Sequence, residues 1–152
     1  MQAGYKTAKK EYNKSFNRAY NKAAAAYSPF KKHRQANDER WNDVAEKAET
    51  LRKYKDAAKA ENKLNKLGKR NDARIRALNE DIDSFRGLEA GLFTKNGKMI
   101  WSPNDVKSMV DSTKAIRDKY SRQVTDMVNR LSQDYKVAYD VTTGKYNLRF
   151  KD

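Results

Sequence analysis

The sequence predicts a mainly α protein: elongated antiparallel helices, coiled-coil-like, with a small antiparallel β part from two hairpins. Three observations lead there. Apolar residues recur at spacings of three and four over long stretches, most cleanly between residues 102 and 135. Charged residues make up 36% of the chain and hydrophobic residues 38%, too lean for a thick core and suited to thin-cored helices lying side by side. Two short stretches switch to the alternating period of strands, each around a turn signal.

Residues 1–27 read as a basic helix studded with aromatics. Tyr5, Ala8, Tyr12, Phe16, Ala19, Ala23 and Tyr27 form its stripe, with Tyr20 beside it; aromatics at this spacing are expected in a core, the alternatives being rings that stack on exposed bases or meet another protein surface. Ser28-Pro29-Phe30 ends that helix and can start another, because the residue before proline leaves the α region while proline suits a first turn. From Asp38 to Leu67 the helical pattern is thin. Trp41, Val44, Ala48 and Leu51 space like core positions, with Ala, Lys and Glu, strong helix formers, between and beyond them. Gly68-Lys69-Arg70-Asn71-Asp72 reads as a turn or as a tolerated irregularity in one long helix, since the apolar register from Leu64 and Leu67 passes through Asn71 to Ile75 and Leu78 with little slip. A helix running through Gly68 would cost about 1 kcal/mol relative to alanine, so a break is expected there.

Residues 72–86 form the next amphipathic segment, with Ile75, Leu78, Ile82 and Phe85 on one stripe. Asn96-Gly97 supplies two residues tolerant of positive φ for a tight turn, so residues 92–101 read as a hairpin with Phe93 opposite Ile100 and Leu92 opposite Trp101. Ser102-Pro103-Asn104-Asp105 is a helix start: Ser102 as N-cap, Pro103 at N1 and Asp105 at N3. The stripe beginning at Val106 runs to Tyr135, roughly nine turns. It is expected to pack Ile116, Tyr120, Val124 and Met127 against Ile75, Leu78, Ile82 and Phe85. Val137, Tyr139 and Val141 alternate, Thr142-Thr143-Gly144 turns, and Tyr146, Leu148 and Phe150 alternate again. Residues 137–150 are therefore a second hairpin, able to join the first in one sheet. The chain divides into a basic aromatic N-terminal helix or arm, residues 1–34, and a helical body, residues 35–152, with hairpins at 92–101 and 137–150.

The residue inventory gives catalysis little to work with. The absence of cysteine excludes disulfides, thiolate catalysis and cysteine-based zinc sites. The single histidine, His33, lies in a run of cations with no acid or nucleophile beside it. Glu80, Asp81 and Asp83 could in principle hold Mg²⁺ for phosphoryl chemistry, as a nuclease or toxin would. Neighbouring arginines and the helical spacing make them a solvated face instead. No glycine-rich phosphate loop, zinc spacing or nucleophile elbow is present, and nothing matches a zinc finger, homeodomain, ribonucleoprotein motif or basic zipper. A nonenzymatic protein without cofactor or metal is expected.

Charge is the more specific signal. Net charge is +14, and residues 1–34 hold nine Lys and Arg against one acid, so over half of the excess lies in the first quarter of the chain. Lys6, Lys9, Lys10, Lys14, Arg18, Lys22, Lys31, Lys32 and Arg34 are the candidate phosphate contacts. Seven of the nine are lysines, which favours loose phosphate contact over bidentate base reading. The expected function is a weakly sequence-specific nucleic-acid-binding or packaging-associated role, such as a virus or mobile element encodes. The alternative is a structural or inhibitory interaction module whose basic arm docks on an acidic protein surface or on a neighbouring copy in a homo-oligomer. Neither a membrane-spanning run nor a signal-peptide core is evident, so no membrane partner is expected and the setting is the cytoplasm or a virion.

Overall fold

The computed structural model describes the backbone of residues 1–22, 31–90, 94–95, 98–99 and 102–152, and side-chain surroundings for residues 1–22, 34–87 and 102–152. Among them are three helices and two hairpins: α1 (Gln2–Asn21), α2 (Lys31–Ala90), β1 (Thr94–Lys95), β2 (Lys98–Met99), α3 (Pro103–Leu131), β3 (Tyr135–Asp140) and β4 (Lys145–Phe150). The protein is mainly α with a small antiparallel β part. The chain forms two units, Met1–Asn62 with Tyr135–Asp152, and Lys63–Asp134, with α2 supplying residues to both.

In the second unit the helix start of α3 is a full capping box. The Ser102 hydroxyl accepts from the Asp105 N–H at 3.1 Å, and the Asp105 carboxylate accepts from the Ser102 N–H at 3.3 Å. Val106, Val110 and Met127 are the buried positions of α3. Ile82 packs with Val106 and Val110, and Phe85 and Met109 flank that cluster. Further along, Arg117 donates to the Asn79 side chain, and Asn71, fully buried, donates to the Tyr120 carbonyl at 2.9 Å and to Gln123 at 3.1 Å. Positions on α3 rise as those on α2 fall, so the pairing is antiparallel. Its register differs from the expected one. Ile82 faces Val106 and Val110, not the middle of α3, and Ile116 is 47% exposed. Stripe spacing fixes which face of each helix is apolar but not where the two helices meet.

Two further expectations are corrected here. No break occurs near Gly68: α2 is one 60-residue helix and Gly68 is buried within it. Leu64 and Asn71 on either side are fully buried, and their packing outweighs the roughly 1 kcal/mol propensity cost of one glycine. Nor does α3 reach Tyr135. The Ser132 hydroxyl bonds back to the Val128 carbonyl at 2.7 Å, the Gln133 and Asp134 amides make tight turn bonds, and Tyr135 opens β3.

Among the described residues the strands form two two-stranded sheets, β1-β2 and β3-β4, in place of the expected single sheet. Thr94↔Met99 and Lys95↔Lys98 pair in the expected register, while the Asn96-Gly97 turn and the outer pairs lie outside the described residues. In the second hairpin Val137 pairs with Leu148 and Tyr139 with Tyr146. Asp140 accepts from the Thr142 and Thr143 amides, and Gly144 takes φ +68°, a left-handed conformation that glycine adopts without strain.

Candidate nucleic-acid interface

Helix α1 docks on the first part of α2 through small side chains. Ala8, Ser15 and Ala19 are its buried residues, and Val44, Ala57 and Ala58 are buried on α2. A Cβ on Gly4 would collide with the Tyr54 ring, which itself packs edge-on against Phe150 at 4.8 Å. The contacts Gly4–Tyr54, Ser15–Asp43 and Phe16–Trp41 run in opposite senses along the two helices, so this pair is also antiparallel. Glu61 ties the second hairpin to α2: its carboxylate accepts from the Leu148 amide at 2.9 Å and from the Met1 amino group at 3.4 Å.

With the small-residue face turned inward, the cations point outward. Lys6, Lys9, Lys10, Lys14, Arg18 and Lys22 are exposed on or just beyond α1, and Arg34 is exposed on α2. Lys31 and Lys32 begin α2, and their side chains lie outside the described residues. Lys6, Lys10, Lys14, Arg18 and Lys22 follow one another at four-residue intervals, a row of adjacent like charges along the helix. Such a row destabilises an isolated helix slightly and concentrates positive potential along a line.

Arg18 differs from the lysines. Its guanidinium contacts the Asp43 carboxylate at 3.3 Å, and the same oxygen accepts from the buried Ser15 hydroxyl at 2.7 Å. The Ser15 hydrogen bond is the main reason the Asp43 carboxyl lies below its ordinary value, with the charges of Lys47 and Arg18 adding to it against partial desolvation. Among the described residues none of Lys6, Lys9, Lys10, Lys14 and Lys22 is held in an ion pair. A shallow groove of about 220 Å³ lies here, lined by Lys14, Arg18 and Lys47 together with Glu11, Ser15 and Asp43.

The aromatic stripe does not fill the core of this pair. Tyr12, Phe16 and Tyr20 line one flank with successive ring centroids 6.1 Å apart. Trp41 of α2 meets Phe16 edge-on at 6.0 Å. Tyr20 is 66% exposed, Phe16 38% and Trp41 37%. The sequence placed Trp41 only as a core position of its own helix. The available signal was the proline break: Ser15 and Asp43 stand equally far on either side of Pro29. An antiparallel pairing of the helices on either side of it brings Trp41 to Phe16 and Asp43 to Ser15.

Elsewhere, Glu80, Asp81 and Asp83 stand exposed on α2, and among the described residues no three acidic or histidine side chains converge as metal ligands. No helix of the described residues is long and apolar enough to cross a membrane. Comparison with models of known protein families, with curated proteins and with solved structures finds no match.

Proposed function

We propose that the protein is a nonenzymatic nucleic-acid-binding or packaging-associated protein of weak sequence specificity, and that α1 carries its phosphate-contacting surface. One observation carries this reading. The lysines of α1 stand in solvent without ion-pair partners among the described residues, while the opposite face is committed to packing. Cations so placed can approach a phosphate backbone and release its counterions without disturbing the helix pair. Lysine tips on flexible stems suit a backbone of any sequence better than a fixed pattern of base edges.

The test is titration against DNA and RNA across a salt series. Replacing Lys6, Lys9, Lys10 and Lys14 with Gln should weaken binding to all sequences alike and lower the log–log salt slope by about 3, at 0.7–0.9 per phosphate contact. Circular dichroism should show the helices unchanged. Wild-type protein that binds neither nucleic acid at about 50 mM salt removes the proposal. Binding with an unchanged slope in the four-Gln variant moves the surface off α1. Capture of a specific acidic protein through the same lysines, without nucleic-acid binding, transfers the reading to a protein–protein module.

A further inference from the structure

We infer that the ligand of this surface is single-stranded nucleic acid, with Tyr20, Phe16 and Trp41 as the platform on which its bases stack. The inference rests on the proposed role of the α1 lysines and adds the strandedness of what they bind.

Three observations meet on one flank of the first unit. First, large rings remain in solvent. Tyr20 is 66% exposed, and Phe16 and Trp41 keep more than a third of their surface accessible. Isolated exposed apolar residues are ordinary on a protein surface, but here three rings adjoin, from two helices. Second, the rings are mutually ordered. Phe16 and Tyr20 lie within 16° of parallel, and Trp41 braces Phe16 edge-on at 78°, so Tyr20 presents its ring from a supported row. Third, cations border the rings, with one exposed acid among them, Asp38, between Arg34 and Trp41 on the same face of α2. Lys9 lies seven residues before Phe16, and Arg34 seven before Trp41, which puts each cation on the same helix face as its ring, two turns away. Lys9 and Arg34 are both exposed.

Charge decides the class of occupant. An apolar ring cluster bordered by cations complements a chain that alternates flat π faces with negative charge, and a nucleic-acid strand has that make-up. Duplex does not satisfy the rings, because its base faces are already stacked and only base edges line the grooves. A single strand can lay its phosphates along the lysines and turn bases onto the rings. Every base has a π face, so the arrangement also accounts for weak sequence preference.

The experiment compares a 20-nucleotide oligothymidylate with a 20-base-pair duplex at one salt concentration, using wild type, Tyr20→Leu and Tyr20→Phe. Leucine keeps apolar bulk but has no π face, and phenylalanine restores it. Tyr20 is the most exposed of the three rings, so neither change removes a core contact. The expected result is tighter binding of the single strand, about fivefold or more lost in Tyr20→Leu, recovery in Tyr20→Phe, and an unchanged salt slope in all three. Duplex affinity should not respond to either change. Equal affinity for strand and duplex, with Tyr20→Leu indistinguishable from wild type, overturns the stacking platform while leaving the lysine surface standing. Absence of binding to both probes overturns the two together.

Discussion

The two helix pairs solve the same problem with different side chains. In the second unit, α2 and α3 meet through branched and long apolar residues: Ile82 with Val106 and Val110, flanked by Phe85 and Met109. In the first unit, α1 meets α2 through Gly4, Ala8, Ser15 and Ala19, and the buried residues opposite include Ala57 and Ala58. Small residues let two helices approach closely but remove little apolar surface from water, so polar anchors supplement the packing. Ser15 with Asp43, and Glu61 with the Met1 amino group, are those anchors. Around Ser15 and Ala19 small side chains fill the seam, and Phe16, Tyr20 and Trp41 emerge at its edge. The pair that is less apolar inside is therefore the one with aromatic surface to offer a ligand.

The largest effect expected from this contrast is at Ile82. It is 3% exposed among branched partners, so Ile82→Ala should cost about 2–5 kcal/mol in urea unfolding. Ile116→Ala, at a position 47% exposed, should cost under about 0.5 kcal/mol. Equal losses at the two sites would restore the register read from the stripes and break the assignment of the second core. The first unit should respond most to loss of a polar anchor. Glu61→Leu leaves the buried Leu148 amide without its acceptor, which should cost about 1–3 kcal/mol. Glu61→Gln retains an acceptor and should cost less. Hydrogen exchange at Leu148 checks the cause: its amide should lose protection in the leucine variant and keep it in the glutamine variant.

How much of this was legible depended on how local the cause was. The α3 start and the second hairpin were readable because their determinants lie within a few residues: Ser102 with Asp105, and Asp140 with the Thr142 and Thr143 amides. Gly68 points to a break because its local cost of about 1 kcal/mol is visible in the sequence, while the burial of Leu64 and Asn71 that outweighs it is supplied only by the fold. The α1 lysines were legible as a charge excess. The aromatic half reads from sequence as core first and as a stacking surface only second, because the apolar stripe averages small and large residues together. Whether Phe16 or Ser15 turns inward depends on Asp43, 28 positions from Ser15 in the chain.

Gly4 offers a smaller test of close approach. Alanine there gains up to about 1 kcal/mol of helix propensity, less near a helix end. It also drives a methyl group into the Tyr54 ring, which Phe150 holds from the other side. Overpacking of this kind costs about 1–3 kcal/mol, so a net loss of about 1 kcal/mol is expected for Gly4→Ala. A stabilised variant would mean that the two helices can part without penalty, and the account of the emergent rings would weaken with it.

The smallest effect expected belongs to Asp43, and it separates docking from ligand binding. Its carboxyl lies below the ordinary aspartate value of 3.8, chiefly because the Ser15 hydroxyl donates to it, with Lys47 and Arg18 contributing charge. A depressed value in the folded chain means that the unfolded chain takes up the proton first as pH falls. The stabilisation is therefore complete above about pH 4 and disappears as pH drops through the folded value. The difference in thermal midpoint between wild type and Asp43→Asn should be present at neutral pH and shrink below about pH 4. In a Ser15→Ala background that pH dependence should be weaker, since the main cause of the shift is gone. A difference that stays constant from neutral to acid pH would show that the carboxylate charge is not what holds α1. The same pair predicts how Arg18 behaves toward a polyanion. Its charge is opposed by Asp43 at 3.3 Å, so Arg18→Gln should lower the salt slope of nucleic-acid binding by less than Lys10→Gln does. Arg18, unlike Lys10, should affect the thermal midpoint in step with Asp43. Equal slopes lost at the two positions would place Arg18 on phosphate, and its contact with Asp43 would then open when the ligand binds.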